Sequence, residues 1–420
     1  MSLQFITGNS GNGKTKYLFN RIVKEAKANP RDNYLVIVPE QFTMQTQRQL
    51  VDLSENKAIM NIDVLSFKRL AYRVFDELGI TNLTVLEETG KNLVLRKLAA
   101  QEADKLGVIG RNLNRIGYIS EVKSLLSEIV QYNISPEELG RYIASGRLSD
   151  TLSDKLKDVL VLYEAFEKFM QDKYITAEEI LNVLSNVAEE SAILRNSVIA
   201  FDEFTGFTPI QNQLIKKLFV ISKKIYVTLT IDCREDIFKS RGMQELFDMP
   251  KRTVKSLTEM AAFYGIEVEE PIILDKNYRL AENEELSFME QQLFRKRRCS
   301  FKKVPKHIHI DCLRDPKQEL TKIARRINEL VRNENLRYRD IAIVTGDVNI
   351  YAGYVREIFD KYNIPYFIDA TQEILFHPFI EFIRSIPDIA AQNFSADAVF
   401  RFLRCGFSEL LDSEIDVLEN

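Results

Sequence analysis

The run Gly8-Asn9-Ser10-Gly11-Asn12-Gly13-Lys14-Thr15 constrains this chain more than any other part of it. It fits G-x-x-x-x-G-K-[ST] and stands between the β-rich residues 3–7 (LQFIT) and a helical pattern that sets Tyr17, Leu18, Ile22 and Val23 on one face. Strand, glycine loop and helix in that order make a cradle for a polyphosphate. The glycines admit backbone conformations that a Cβ would block, so successive N–H groups turn inward, and the helix adds about half a positive charge at its N-terminus. The predicted nucleotide site is therefore Gly8, Asn9, Ser10, Gly11, Asn12, Gly13, Lys14 and Thr15. Lys14 is expected to reach the β- and γ-phosphates, and the Thr15 hydroxyl to join the shell of a Mg2+ ion.

Such a site needs acidic groups on a neighbouring strand. The apolar run 197–201 (SVIAF) supplies them, because it closes on Asp202 and Glu203. Asp202 is assigned to Mg2+ together with Thr15, and Glu203 to orienting and deprotonating the attacking water. Other chemistries find no constellation. The four cysteines lie far apart with no Cys-x-x-Cys pair, so they read as free thiols rather than a disulfide framework or zinc site. His307, His309 and His377 form no Ser-His-Asp set and read as structural.

With 420 residues the chain predicts two or three domains, and its texture divides it. Buried parallel strands are expected at 34–38, about 60–65, 197–201 and 224–231, with helices at 66–78 and 250–264. Residues 85–195 show helical spacing almost throughout, with helix starts at Ser135-Pro136-Glu137-Glu138 and Thr176-Ala177-Glu178-Glu179. Residues 295–306 carry seven basic side chains and no acidic one, which reads as a linker or, alternatively, as a phosphate contact. Beyond it, strands at 307–313, 341–345 and 365–368 alternate with helices at 316–332 and 350–362. The fold class is therefore α/β, with a parallel sheet split by a helical block. A net charge of −4 argues against a uniformly basic coat, and no run approaches the roughly 20 apolar residues of a membrane span. A soluble, cytoplasmic protein is expected. Residues 410–420 run amphipathically without a stop signal, which suggests a piece of a longer chain.

The order of phosphate loop, VIVPEQFTMQTQ at 36–47, DVLSF at 63–67, a helical insertion and AFDEFTGFTPIQ at 200–211 resembles the first motor lobe of UvrD/Rep-like superfamily 1 DNA helicases. More narrowly, PEQFT and FDEFTGFTP are similar to the AddB (RexB) family, the smaller subunits of bacterial AddAB helicase-nucleases that process double-strand breaks for recombinational repair. Residues 340–369 and HPFIEFIRSI at 377–386 extend the resemblance over nearly the whole chain.

The resemblance implies a RecA-like first lobe over 1–84 and 196–290, a helical insertion over 85–195, a basic linker over 291–304 and the truncated start of a second RecA-like lobe over 305–420. It implies ATP with Mg2+, an AddA-like partner in a heterodimer, and DNA ends and single-stranded DNA as ligands. An iron–sulfur cluster and a nuclease domain belong to a part of the family outside these residues. Gln41, Phe42, Thr43, Ser66 and Phe67 stand where the family's first lobe meets single-stranded DNA, and an aromatic stack on a base is worth about 1–3 kcal/mol. Phe42 and Phe67 read equally well as core aromatics.

Two departures bear on activity. An active motor of this superfamily carries an arginine after the first strand of its second lobe, whereas Ile341–Val344 is followed here by Thr345-Gly346. Loss of such an arginine lowers turnover by about 10³ to 10⁵. The coupling glutamine of the family is also missing from residues 229–236 (LTIDCRED). The expected function is thus an ATP- and DNA-binding subunit whose own motor is silent or weak. The alternative is an autonomous superfamily 1 helicase, and a remote one is a small-molecule kinase with a helical lid at 85–195.

Overall fold

The computed structural model describes every residue except 82–83, 111–116, 147, 172, 296–298, 370–373 and 420. It forms two compact units, 1–305 and 306–420. In chain order the first begins with β1 (Ser2–Gly8), α1 (Lys14–Ala28), β2 (Tyr34–Ile37), α2 (Thr43–Leu53), β3 (Ile62–Leu65) and α3 (Phe67–Leu78). An insertion follows, with β4 (Val85–Leu86), α4 (Glu88–Gln101), α5 (Tyr118–Gln131), α6 (Pro136–Ala144), α7 (Asp150–Met170), β5 (Ile175–Thr176) and α8 (Ile180–Val187). The unit then resumes with β6 (Val198–Phe201), α9 (Pro209–Ile221), β7 (Lys224–Thr230), α10 (Asp248–Phe263), β8 (Glu267–Val268), β9 (Ile272–Leu274) and α11 (Glu284–Gln292). Seven of these strands form one parallel sheet in the order β3-β2-β6-β7-β1-β8, with β9 also paired to β1.

Both faces of this sheet are covered, as its unbroken apolar runs require. Alternate residues serve different layers. Leu3, Phe5, Leu35, Ile37, Ile199, Phe201 and Val227 pack with α3, α9 and α10. Ile6, Val36, Val38, Val198, Ala200 and Tyr226 face the other way, onto Leu18, Phe19 and Ile22 of α1 and Leu50 of α2. Since all pairs are parallel, the C-terminal ends of β1, β6 and β7 lie at one edge, where open α/β sheets bind ligands.

Helices α4 to α7 of the insertion enclose a separate core that includes Leu95, Leu126, Leu162 and Phe166. A two-stranded ribbon of β4 with β5 joins its ends, and α8 leads back to the sheet. The two sequence-predicted helix starts have physical counterparts. Ser135 and Glu138 form a reciprocal capping box, and Thr176 and Glu179 exchange the same pair of bonds just before α8.

The second unit contains α12 (Pro316–Asn333), α13 (Val348–Lys361), α14 (Pro378–Ala391), α15 (Ala396–Leu403) and α16 (Asp412–Glu419). Leu320, Ala324 and Ile327 of α12 pack on Ile358 and Phe359 of α13. The strands expected at 307–313, 341–345 and 365–368 are not formed among the described residues, which is a correction. Ile341 has extended backbone, yet the segment joins no ladder and Val344 is 93% exposed. An apolar β-prone run becomes a strand only when partners take its N–H and C=O groups. The expected linker at 291–304 begins inside α11, and its residues 296–298 lie outside the described residues.

Candidate nucleotide site

β1 ends at Gly8 and α1 begins at Lys14, so the glycine-rich loop turns the chain between them. Gly11 and Gly13 hold φ of +89° and +79°, the left-handed region that favours glycine. A Cβ on Gly11 would also lie 2.7 Å from Arg279 Cβ and 2.8 Å from Asn277 Oδ1. The N-terminus of α1 has no side-chain cap and no acidic residue in its first turn. Its first N–H groups are thus left for an anion.

Lys14 folds back over this loop, donating to the carbonyl oxygens of Gly8 at 3.1 Å and Asn9 at 3.0 Å. Burial pulls its ammonium below the usual lysine range, the charges of Glu203 and Asp202 oppose that shift, and Arg279 adds to it. A phosphate would offer Lys14 a charged partner in place of two carbonyls.

Asp202 follows the last residue of β6 and is 1% exposed. Its Oδ1 accepts a hydrogen bond from the Thr228 hydroxyl of β7, while Oδ2 has no partner among the described residues. Burial raises the carboxyl above the ordinary aspartate range; the bonds from Thr228 and Thr15 pull it back, and the charge of Glu203 pushes it further up. The Thr15 hydroxyl lies 3.3 Å from Asp202 Oδ1 and 3.3 Å from Glu203 Oε1, so it donates to one at a time. Glu203 is exposed, with φ of +64° at the strand end, a conformation that costs a non-glycine residue on the order of 1 kcal/mol. An orphaned carboxylate oxygen beside a threonine hydroxyl fits Mg2+, which takes one or two protein oxygens and fills its shell with phosphate and water. No cluster of three or more His, Cys, Asp or Glu side chains able to hold a metal occurs among the described residues.

Three residues absent from the sequence-based site complete it. Tyr278 N donates to Gly11 O at 3.0 Å, Asn277 Nδ2 to Ser10 O at 3.0 Å, and the Arg279 guanidinium to Ser10 Oγ at 3.2 Å. Tyr278 and Arg279 line, with Lys14, Thr15, Asp202, Glu203 and Thr228, a cavity of about 810 Å³. β9 explains how residues so distant in sequence arrive here, because it pairs with β1 in parallel and delivers the chain to the loop. The signal was an apolar strand, IIL, followed by the mixed cationic and aromatic run DKNYR.

The residues predicted to meet DNA lie at the ends of β2 and β3, and most are committed internally. Thr43 is buried and donates to Glu40 O at 3.0 Å. Ser66 is buried, caps α3 by accepting from Arg69 N at 3.3 Å, and donates to the Glu40 carboxylate. Phe67 is 7% exposed, with its ring centroid 5.8 Å from Phe201, 5.5 Å from Phe204 and 6.3 Å from Phe207. Of its two readings, base platform or core aromatic, this burial matches the core one. Phe42 is half-buried against the α1–α2 layer, and Gln41 is exposed.

The chain is 38% identical over its whole length to an ATP-dependent helicase/deoxyribonuclease subunit from Lachnoclostridium phytofermentans, and covers 37% of that relative. It is 33% identical to the subunit of the same name from Clostridium tetani and 34% identical to that from Clostridium acetobutylicum, again across the whole chain and over 37% and 36% of those proteins. The chain thus spans little more than a third of the length of the curated relatives it matches. Residues 5–290, which hold the parallel sheet, the insertion and every residue of the candidate site, match the family described as "ADDB, N-terminal", and the chain belongs to that family.

Proposed function

We propose that this chain is the nucleotide-binding amino-terminal part of one subunit of a cytoplasmic helicase/deoxyribonuclease, which binds ATP with Mg2+ and grips DNA at double-strand ends alongside a partner helicase. The observation that carries the nucleotide reading is the buried Asp202 carboxylate, whose Oδ1 lies 3.3 Å from the Thr15 hydroxyl and whose Oδ2 has no partner among the described residues, in a cavity also lined by Lys14. Mg2+ held there would neutralise charge on the β- and γ-phosphate oxygens. The loop N–H groups bind the phosphates, Lys14 exchanges its two carbonyl partners for phosphate oxygens, and Thr15 and Asp202 take the ion. Glu203, exposed beside the Thr15 hydroxyl, orients water. Gln41 and Phe42 remain as DNA contacts on this lobe, and residues 305–420, whose expected strands are not formed among the described residues, are read as the opening of a second RecA-like lobe from their resemblance alone.

Titration of ATP and a nonhydrolysable analogue onto the wild type and Lys14→Ala tests the nucleotide reading. The expected loss is roughly ten- to a hundredfold in affinity, in line with the about 1.5–3 kcal/mol of a hydrogen bond to a charged group. Equal binding by both proteins removes the reading.

One observation favours a second reading, in which the chain hydrolyses ATP itself. Arg279 lies against Ser10 of the loop and puts a guanidinium at the site despite Thr345-Gly346 in the second unit. DNA-stimulated turnover of the full-length protein, lost on Glu203→Gln, would favour an active motor over a silent one.

A further inference from the structure

Every variable position of the phosphate loop is held from outside by one stretch of chain, residues 274–295. Asn12 Nδ2 donates to Leu274 O at 2.5 Å, Tyr278 N to Gly11 O at 3.0 Å, and Asn277 Nδ2 to Ser10 O at 3.0 Å. Arg279 donates to Ser10 Oγ at 3.2 Å, and Asn9 Nδ2 donates to Glu290 Oε1 of α11. These bonds take loop carbonyls and loop side chains and leave the inward N–H groups to a ligand. A strap of this kind positions the loop without competing for its phosphate.

Asn9 is the junction. It is 7% exposed, and its Oδ1 also accepts from Cys233 N at 3.2 Å, just past the end of β7. Its carbonyl oxygen is one of the two that Lys14 holds. A phosphate that draws Lys14 away therefore changes the bonding of the very residue whose side chain grips Glu290, leaving Asn9 O with the Asn12 N–H at 3.2 Å. Three residues beyond α11, Arg295 pairs with the buried Asp232 and, at 2.8 Å, with Glu235. Its guanidinium also stands 5.5 Å from the Phe247 ring centroid. Asp232 and Cys233 are consecutive, so α11, the residues just beyond it and the turn after β7 are all tied to Asn9 or to its hydrogen-bond partners.

We infer that Glu290 is a positioning residue that couples nucleotide occupancy of the phosphate loop, through Asn9, to α11 and to the Arg295–Asp232 clamp, ten residues before the end of the first unit. This rests on the nucleotide reading above and goes beyond it. Lys14 leaves Gly8 O and Asn9 O, the Asn9 peptide resettles, and the Asn9–Glu290 bond carries that change to α11.

Hydrogen exchange of the purified chain, with and without Mg2+ and a nonhydrolysable ATP analogue, tests it, with fluorescence titration on the same samples reporting binding. In the wild type, saturating analogue is expected to slow exchange across 284–295 on the order of tenfold, beside slowing at residues 8–18. Glu290→Ala should keep the slowing at 8–18 and lose it at 284–295, and Glu290→Gln, which retains an acceptor for Asn9, should restore it. A wild type that binds the analogue without any change at 284–295 overturns the inference alone, whether or not the alanine variant folds. So does Glu290→Ala with an undiminished response. A wild type that binds no analogue overturns the nucleotide reading and the inference with it.

Discussion

Two groups of polar and aromatic side chains stand at the C-terminal edge of one parallel sheet, and they use their chemistry in opposite ways. Beyond β1, β6 and β7, groups are left over: Asp202 Oδ2 has no partner among the described residues, α1 has no side-chain cap, and Lys14 rests on carbonyls that a phosphate would replace. Beyond β2 and β3 the groups are consumed. Ser66 both caps α3 and binds Glu40, Thr43 bonds to Glu40 O, and Phe67 completes a cluster of four phenylalanines. Position at a strand end marks where a ligand is able to bind, but spare hydrogen-bonding capacity marks where one is needed, because buried polar atoms are otherwise satisfied internally.

The largest effect that would break this contrast is at Phe67. Phe67→Ala should lower stability by about 3–5 kcal/mol in denaturant unfolding, as for other buried phenylalanines. An unchanged stability with loss of DNA binding would return Phe67 to the surface role. Next comes Asp202→Asn, which removes a buried charge with an unpartnered oxygen. It should stabilise the nucleotide-free protein by about 1–2 kcal/mol in thermal unfolding while abolishing the Mg2+-dependent part of nucleotide binding.

The pH dependence of the wild type follows from the raised Asp202 carboxyl. Between the ordinary aspartate value and the higher folded one, the native state binds the extra proton. Stability contributed by this group therefore grows as pH falls through that window and is lost as pH rises through the folded value. Mg2+-nucleotide affinity should move the other way, since the protonated carboxyl is a poor ligand. Asp202→Asn should flatten both trends. Ser66→Ala is smaller, about 1 kcal/mol for a lost helix cap, with DNA affinity unchanged in a filter-binding titration. Gln41→Ala should be the smallest in stability, within about 0.5 kcal/mol, and should weaken DNA binding if the exposed end of that segment is the contact.

Arg279 shows why part of the site was not legible. Residue order along the chain places a cation for the γ-phosphate after Ile341–Val344, where Thr345-Gly346 offers none. A guanidinium, that of Arg279, sits five residues past β9, and only the β1–β9 pairing shows that this point lies beside Ser10 of the phosphate loop. The converse holds at 341–345, where a β-branched run predicts a strand that is not formed among the described residues. Local propensity was right about extended backbone but silent about whether a neighbour would complete the ladder.

What this sequence determined by itself is local: the glycine turn before Lys14, the Asp202–Glu203 strand end, the capping boxes near Ser135 and Thr176, and the alternation that makes a two-faced parallel sheet. Each depends on backbone sterics or periodicity over a few residues. The tertiary structure decided which of those groups are left unsatisfied. It buried Phe67, left one oxygen of Asp202 bonded and the other without a partner among the described residues, and laid residues 274–295 across a loop at the far end of the chain. Satisfaction of a polar group depends on what arrives from elsewhere in the chain, and no local pattern records that.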